Sequence, residues 1–212
     1  VTGVQTCALP ILASNHNFHY GINSIYYQLE NGDYLPYNEE SNIEPIEFRP
    51  EQSMKNSFFI GDKWEITPNL KLNGGLRATM YSYLGPNTTY SYYSGYPRDN
   101  QYIKDSTTYG NNQFIKNYPR LDYRFSGKYS FARDLSVKAS YNKLHQYIFM
   151  LSNNISPSPT DKWKLADSHI KPMEGHQVSA GIYKNFGKDI ETSIETYYKN
   201  VNNILQYKDG AD

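Results

Sequence analysis

The chain has 212 residues, with 21 Lys+Arg against 21 Asp+Glu, giving a formal net charge of zero. That balance excludes the basic excess with which a nucleic-acid binder neutralises phosphates. No apolar run approaches the roughly 18 residues of a membrane helix. Tyr is the outlier at 22 residues, and the 16% aromatic content excludes a chain disordered throughout.

Val1–Ile11 reads VTGVQTCALPI. This stretch resembles a translated sequencing adapter, so it is set aside from the fold, and residues 12–212 are taken as the native unit. The only cysteine, Cys7, lies inside it. The remainder therefore has no disulfide, thiol nucleophile or thiolate metal site. The stretch is no signal peptide either, because it lacks a basic start and its apolar run is broken by Pro10.

Beyond it the chain alternates. Asn15–Leu29 and Ser53–Ile66 are the first strand candidates. In Leu70–Tyr83, Leu72, Leu76, Ala78 and Met80 share a face opposite Lys71, Asn73, Arg77 and Thr79. Tyr118–Phe131 is clearest: Leu121, Tyr123, Phe125, Gly127, Tyr129 and Phe131 oppose Arg120, Asp122, Arg124, Ser126, Lys128 and Ser130. Period-two alternation of this kind predicts a strand with one apolar and one polar face. Leu135–Tyr147 begins in the same way, and Gln177–Phe186 and Ile190–Leu205 follow. The prediction is seven strands and no helix.

Several of these strands run a dozen residues or more, whereas globular strands most often have about 5–6. Crossing a membrane takes about 9–11 tilted residues. The connections Thr67-Pro68-Asn69, Ala132-Arg133-Asp134 and Gly187-Lys188-Asp189 are tight, and they alternate with the long ones Glu30–Gln52, Leu84–Asn117 and Ile148–His176. Short periplasmic turns and long extracellular loops produce this asymmetry in an outer-membrane barrel. The expected fold is therefore all-β, an antiparallel transmembrane β-barrel segment. Trp64, Phe131 and Phe186 beside the short turns, and Tyr26, Tyr27, Tyr81, Tyr83, Tyr118 and Tyr147 beside the long loops, are expected to form two interfacial girdles.

Four stretches carry a family resemblance: FFIGDKWEITPNLKLNGGLRATMY (58–81), YPRLDYRFSGKYSFARDLSVKASYNKLHQYIFML (118–151), SPTDKWKLADSHIKP (158–172) and QVSAGIYKNFGKDIETSIETYYKNVNNILQYKDGAD (177–212). In this order they resemble the barrel of TonB-dependent outer-membrane receptors, most closely those with a carboxypeptidase-regulatory-like extension. Transporters of this type have about 22 strands around a plugged lumen. The resemblance thus implies an internal piece supplying about a third of the wall. No match to the family's plug, TonB box, signal peptide or aromatic-terminated last strand is found in these residues. It further implies an outer-membrane location, lipid contact, energy from the TonB complex through the plug, and a small solute as ligand: a siderophore, a cobalamin, a glycan or a peptide.

No G-x-S-x-G, H-E-x-x-H or Walker A pattern is present, and no enzyme activity, cofactor or metal site is expected. Asp161, Asp167, His169, Glu174 and His176 lack ligand spacing, and His16 and His19 read as strand residues. Glu39, Glu40, Glu44 and Glu47 form an acidic patch best explained by solvation. The ligand-binding candidates are aromatics in long loops, Tyr90, Tyr92, Tyr93, Tyr96 and Trp163, because planar rings stack on sugars and chelators and anchor binding surfaces. Lys71, Arg77, Arg120, Arg124 and Lys128 are expected to face the lumen, where a polar wall meets water. The alternatives are a passive porin-like barrel and a soluble glycan-binding β-sandwich with short strands and buried apolar faces.

Overall fold

A computed structural model of the chain describes residues 1–8, 15–36, 38, 45–47, 49–152, 161–187 and 190–205. Along the chain come β1 (Thr2–Ala8), β2 (His16–Leu29), β3 (Asp33–Tyr34), β4 (Ile46–Glu47) and β5 (Glu51–Thr67). Next are β6 (Leu70–Leu84), β7 (Asn87–Tyr92), a 3-10 turn at Asn100–Tyr102, β8 (Ile103–Tyr109) and β9 (Phe114–Ala132). The last are β10 (Leu135–Gln146), β11 (Ile148–Leu151), β12 (Lys162–Leu165), β13 (Met173–Phe186) and β14 (Ile190–Asn202).

Eight strands form one sheet in the order β1-β2-β5-β6-β9-β10-β13-β14. Every neighbouring pair in it is antiparallel. The seven long strands match the seven alternating segments, with β9 starting four residues earlier and β13 four residues earlier than their patterns suggest. The tight turns follow from their residues. Thr67 Oγ1 accepts the amides of Asn69 (3.3 Å) and Leu70 (3.0 Å), closing the β5–β6 turn around Pro68. Gly187 opens the β13–β14 turn with φ +68°, a left-handed value that glycine adopts without penalty. Lys188 and Asp189 lie outside the described residues.

The expected count of seven strands needs correction. Thr2–Ala8 pairs along β2 from Thr2↔Tyr26 to Ala8↔Tyr20, so the sheet has one strand beyond seven. The free edge of β2 offers a row of backbone donors and acceptors, and backbone pairing there needs no particular side chains. The long connections also carry structure of their own, as three two-stranded hairpins: β3–β4, β7–β8 and β11–β12.

The sheet is a single layer among the described residues. On its apolar face the register aligns Ile22, Phe58, Ala78 and Leu121 in one cross-strand row, and Tyr20, Ile60, Leu76 and Tyr123 in the next. Phe58 (50%), Leu121 (51%), Phe125 (50%) and Ile182 (53%) stay half exposed, because no second layer covers them. A soluble sandwich would bury that face, and monomeric soluble proteins rarely expose apolar patches above a few hundred Å². The buried cluster lies elsewhere, at the long-connection end. Tyr81, Tyr83, Tyr118, Tyr147, Phe149, Leu165 and Ala166 pack there.

That placement overturns part of the girdle expectation. Trp64, Phe131 and Phe186 are exposed on the apolar face beside the short turns. Tyr81, Tyr83, Tyr118 and Tyr147 are instead buried. Tyr81 and Tyr83 share the pleat of Arg77, and Tyr118 shares that of Arg120, so they point to the polar side.

Candidate functional site: the polar face and the hairpin that covers it

The antiparallel register stacks the polar face into rows. Nearest the short turns, Glu65, Lys71, Lys128 and Lys138 stand directly opposite one another. Like charges so placed repel. Glu65 relieves Lys71 with a 2.5 Å ion pair, and the Lys138 ammonium sits 3.9 Å from the centre of the Tyr183 ring. One row higher, Asn73, Ser126, Ser140 and Ser179 align, with Ser140 and Ser179 hydroxyls 2.7 Å apart.

Above the serines come His19, Gly61, Gly75 and Arg124, then Gly21, Phe59, Arg77 and Asp122, then Asn23, Ser57, Thr79 and Arg120. All five expected lumen cations, Lys71, Arg77, Arg120, Arg124 and Lys128, therefore share this face. Only Lys71 forms an ion pair among the described residues. Arg77 lies over Phe59 (5.1 Å), Arg120 over Tyr118 (5.6 Å) and Lys55 over Tyr27 (5.6 Å). Aromatic faces attract cations without neutralising them. The two glycines let side chains lie flat: a Cβ on Gly61 would stand 2.3 Å from the His19 ring, and one on Gly75 would stand 3.2 Å from Arg124 Nε.

A second cluster marks where the ladder opens. Pairing of β9 with β10 ends at Tyr123↔Lys143, while β10 and β13 stay paired to Gln146↔Met173. His145 bridges the opening, with Nδ1 2.6 Å from Asp122 and Nε2 2.8 Å from Glu174. Glu174 also meets His176 (2.9 Å) and Lys143 (3.2 Å). Asp167 by contrast accepts the amides of His169 and Ile170 and an ion pair from Lys164. The five polar residues weighed for metal are thus split between different tasks. No group of three such side chains has metal-holding geometry among the described residues.

The β11–β12 hairpin folds over the polar side at the long-connection end. Tyr81 donates to the Ala166 carbonyl (2.9 Å) and Tyr118 to the Asp167 carbonyl (2.7 Å). Glu51 takes both the Leu165 amide (2.9 Å) and the Lys164 ammonium. Burial alone would push the Lys164 ammonium down. Glu51 and Asp167 beside it outweigh that and hold it well above the usual lysine range. Leu165 and Ala166 are fully buried as a result. Alternation gave no sign of this packing, since the four-residue strands are too short to show a period.

The loop aromatics do not converge. Tyr90, Tyr93 and Tyr96 are exposed around the β7–β8 hairpin, with Tyr96 stacked on Tyr102 at 4.9 Å. Tyr92 turns toward His169 (6.0 Å). Trp163 is half exposed on β12, its backbone clasped by the Asn31 amide (3.0 and 3.1 Å). Missed by sequence reasoning were Lys55, whose parity with Phe59 was available, and the His145 bridge, which needs the ladder's end to be known. His16 lies on the apolar face between Phe18 and Trp64, 2.7 Å from Asp62. Glu39, Glu40, Glu44 and the Glu47 side chain lie outside the described residues.

A family model described as TonB dependent receptor-like, beta-barrel, matches residues 4–212. No curated protein matches the chain. Among solved structures, the copper transporter OprC is similar at TM-score 0.58 and 16% identity, over 94% of this chain and 30% of that one. The FrpB iron transporter from Neisseria meningitidis, in its apoprotein form, gives 0.56 at 14% identity, over 94% and 28%. The ferric-catecholate import receptor Fiu from K12 E. coli, in a closed form, gives 0.54 at 16% identity, over 99% and 32%. The chain spans about a third of the length of these structures.

Proposed function

Since the chain belongs to the TonB-dependent receptor β-barrel family, we propose that it is a portion of the wall of an outer-membrane receptor that imports a scarce small solute. The observation that carries the reading is the segregation of the two faces. Phe58, Leu76, Leu121 and Phe125 stand uncovered on one side, while Lys71, Arg77, Arg120, Arg124 and Lys128 stand on the other. A lipid-facing band and a water-filled interior call for this division. The apolar face meets lipid and the polar face meets the lumen.

In this reading the long connections face outward, and Tyr90, Tyr92, Tyr93, Tyr96 and Trp163 offer rings to the arriving ligand. Capture by loops and plug is followed by plug rearrangement, driven through TonB, and by passage along the cationic wall. The named transport of copper, iron and ferric catecholates by similarly folded proteins is compatible with that role. Receptors of this family are transporters rather than enzymes.

The test is uptake by cells expressing the full-length gene product, with and without TonB. A panel of ferric siderophores, cobalamin, oligosaccharides and peptides supplies the labelled solutes. Accumulation of one class that disappears without TonB is the expected result. Uptake indifferent to TonB would overturn the reading in favour of a passive porin.

A further inference from the structure

On the polar face, just beneath the β11–β12 hairpin, lies a cleft of about 280 Å³ lined by His19, Lys55, Arg77, Arg124, Asp122 and Tyr147. Its three permanent cations make no ion pair among the described residues. The lone carboxylate, Asp122, is already bonded to His145 at 2.6 Å. The cleft thus holds an excess of positive charge that no carboxylate among the described residues neutralises.

Two further features point to an occupant. Tyr147 is only 6% exposed, and its hydroxyl, with the Thr79 side chain beside it, has no hydrogen bond of good geometry among the described residues. A buried donor left unpaired carries a desolvation cost that an incoming acceptor would remove. The glycine at 75 also leaves room for the Arg124 side chain to lie along the sheet, since a Cβ there would press on Nε at 3.2 Å. Gly61 does the same for His19.

We propose that this cleft binds an oxyanion group, a carboxylate or a phosphate, carried by the imported solute; this rests on the import reading given above. Two guanidinium forks match the geometry of such groups, which they hold bidentately. Lys55 adds a point charge, and the Tyr147 hydroxyl adds a neutral donor. At this volume the cleft holds the acidic portion of a solute rather than all of it. Its place below the hairpin makes it a station on the way inward, distinct from the exposed tyrosines of the β7–β8 hairpin.

The test is calorimetric titration of the full-length receptor, folded in detergent, with inorganic phosphate and separately with citrate. Heat-modifiable gel mobility confirms that each variant is folded. Saturable binding of phosphate alone assigns a phosphate group, and binding of citrate alone a carboxylate. Arg77→Gln and Arg124→Gln should each weaken that binding roughly tenfold or more, the size of a lost charge-assisted hydrogen bond. Arg77→Lys should recover part of the loss, and Lys104→Gln, on β8, should change nothing. Lys55→Gln replaces either arginine variant that fails to fold. The proposal is overturned if neither anion binds, or if the glutamine variants bind as the parent does. TonB-dependent uptake is measured on the same proteins. Its persistence without anion binding removes only the oxyanion site, whereas TonB-independent uptake removes the import reading and leaves the titrations to stand on their own.

Discussion

Near the turns at Thr67–Leu70 and Ala132–Leu135, the sheet is one strand thick and both of its faces are open. Trp64, Leu72 and Phe131 remain exposed there, and the facing lysines 71, 128 and 138 sit in one row. At the opposite end of the same strands, Tyr81 and Tyr83 are sealed under Leu165 and Ala166. The lower half is held by backbone ladders and leaves both faces uncovered, which in the proposed reading meet lipid on one side and water on the other. The upper half makes its own interior by folding a connection back onto the wall. One alternating pattern therefore yields two kinds of burial, according to what covers it.

Substitutions separate the two halves by size of effect. Tyr81→Ala removes a fully buried ring and its bond to the Ala166 carbonyl. In the full-length receptor, chemical unfolding in lipid should show a loss of about 3–5 kcal/mol. Phe125→Arg puts charge on the apolar face of the lower half, and should cost about 2–4 kcal/mol in lipid near the midplane. A cost near zero there would mean that this face meets water. Glu51→Gln weakens the clasp on Lys164 and Leu165. It should cost about 1.5–3 kcal/mol and shift the fluorescence of Trp163 in the adjoining strand. Smallest is Lys71→Ala, since its pair with Glu65 is about half exposed (51% and 58%) and exposed pairs contribute about 0–1 kcal/mol. A large effect at Lys71 would show that the lysine row is structural.

How much of this was readable beforehand follows the same division. Tyr118–Phe131 and Leu70–Tyr83 announced their strands because period two persists for a dozen residues. It persists because successive side chains point to opposite sides of the sheet, and the two sides differ in surroundings. The same parity placed Lys71, Arg77, Arg120, Arg124 and Lys128 together. It also placed Tyr81, Tyr83 and Tyr118 with them, although proximity to the loops suggested a girdle. Parity, not nearness to an interface, decides which face an aromatic joins. The hairpin of Ile148–Leu151 with Lys162–Leu165 was hidden, because four residues carry no measurable period and its partners are distant in sequence. Glu51 meets Lys164 across 113 positions. Tyr92 and Trp163 read alike as loop aromatics, yet one leans on His169 and the other is held by Asn31.

The most direct measurement is a cysteine scan through β9, from Arg120 to Phe131, in the full-length receptor reconstituted in lipid. Each cysteine carries an environment-sensitive fluorophore, challenged in turn by a lipid-borne and a water-soluble quencher. A membrane-spanning sheet predicts strict alternation. Labels at 121, 123, 125, 129 and 131 should be quenched from lipid, and those at 120, 122, 124, 126 and 128 from water. Quenching from water at every position, with no alternation, would contradict it.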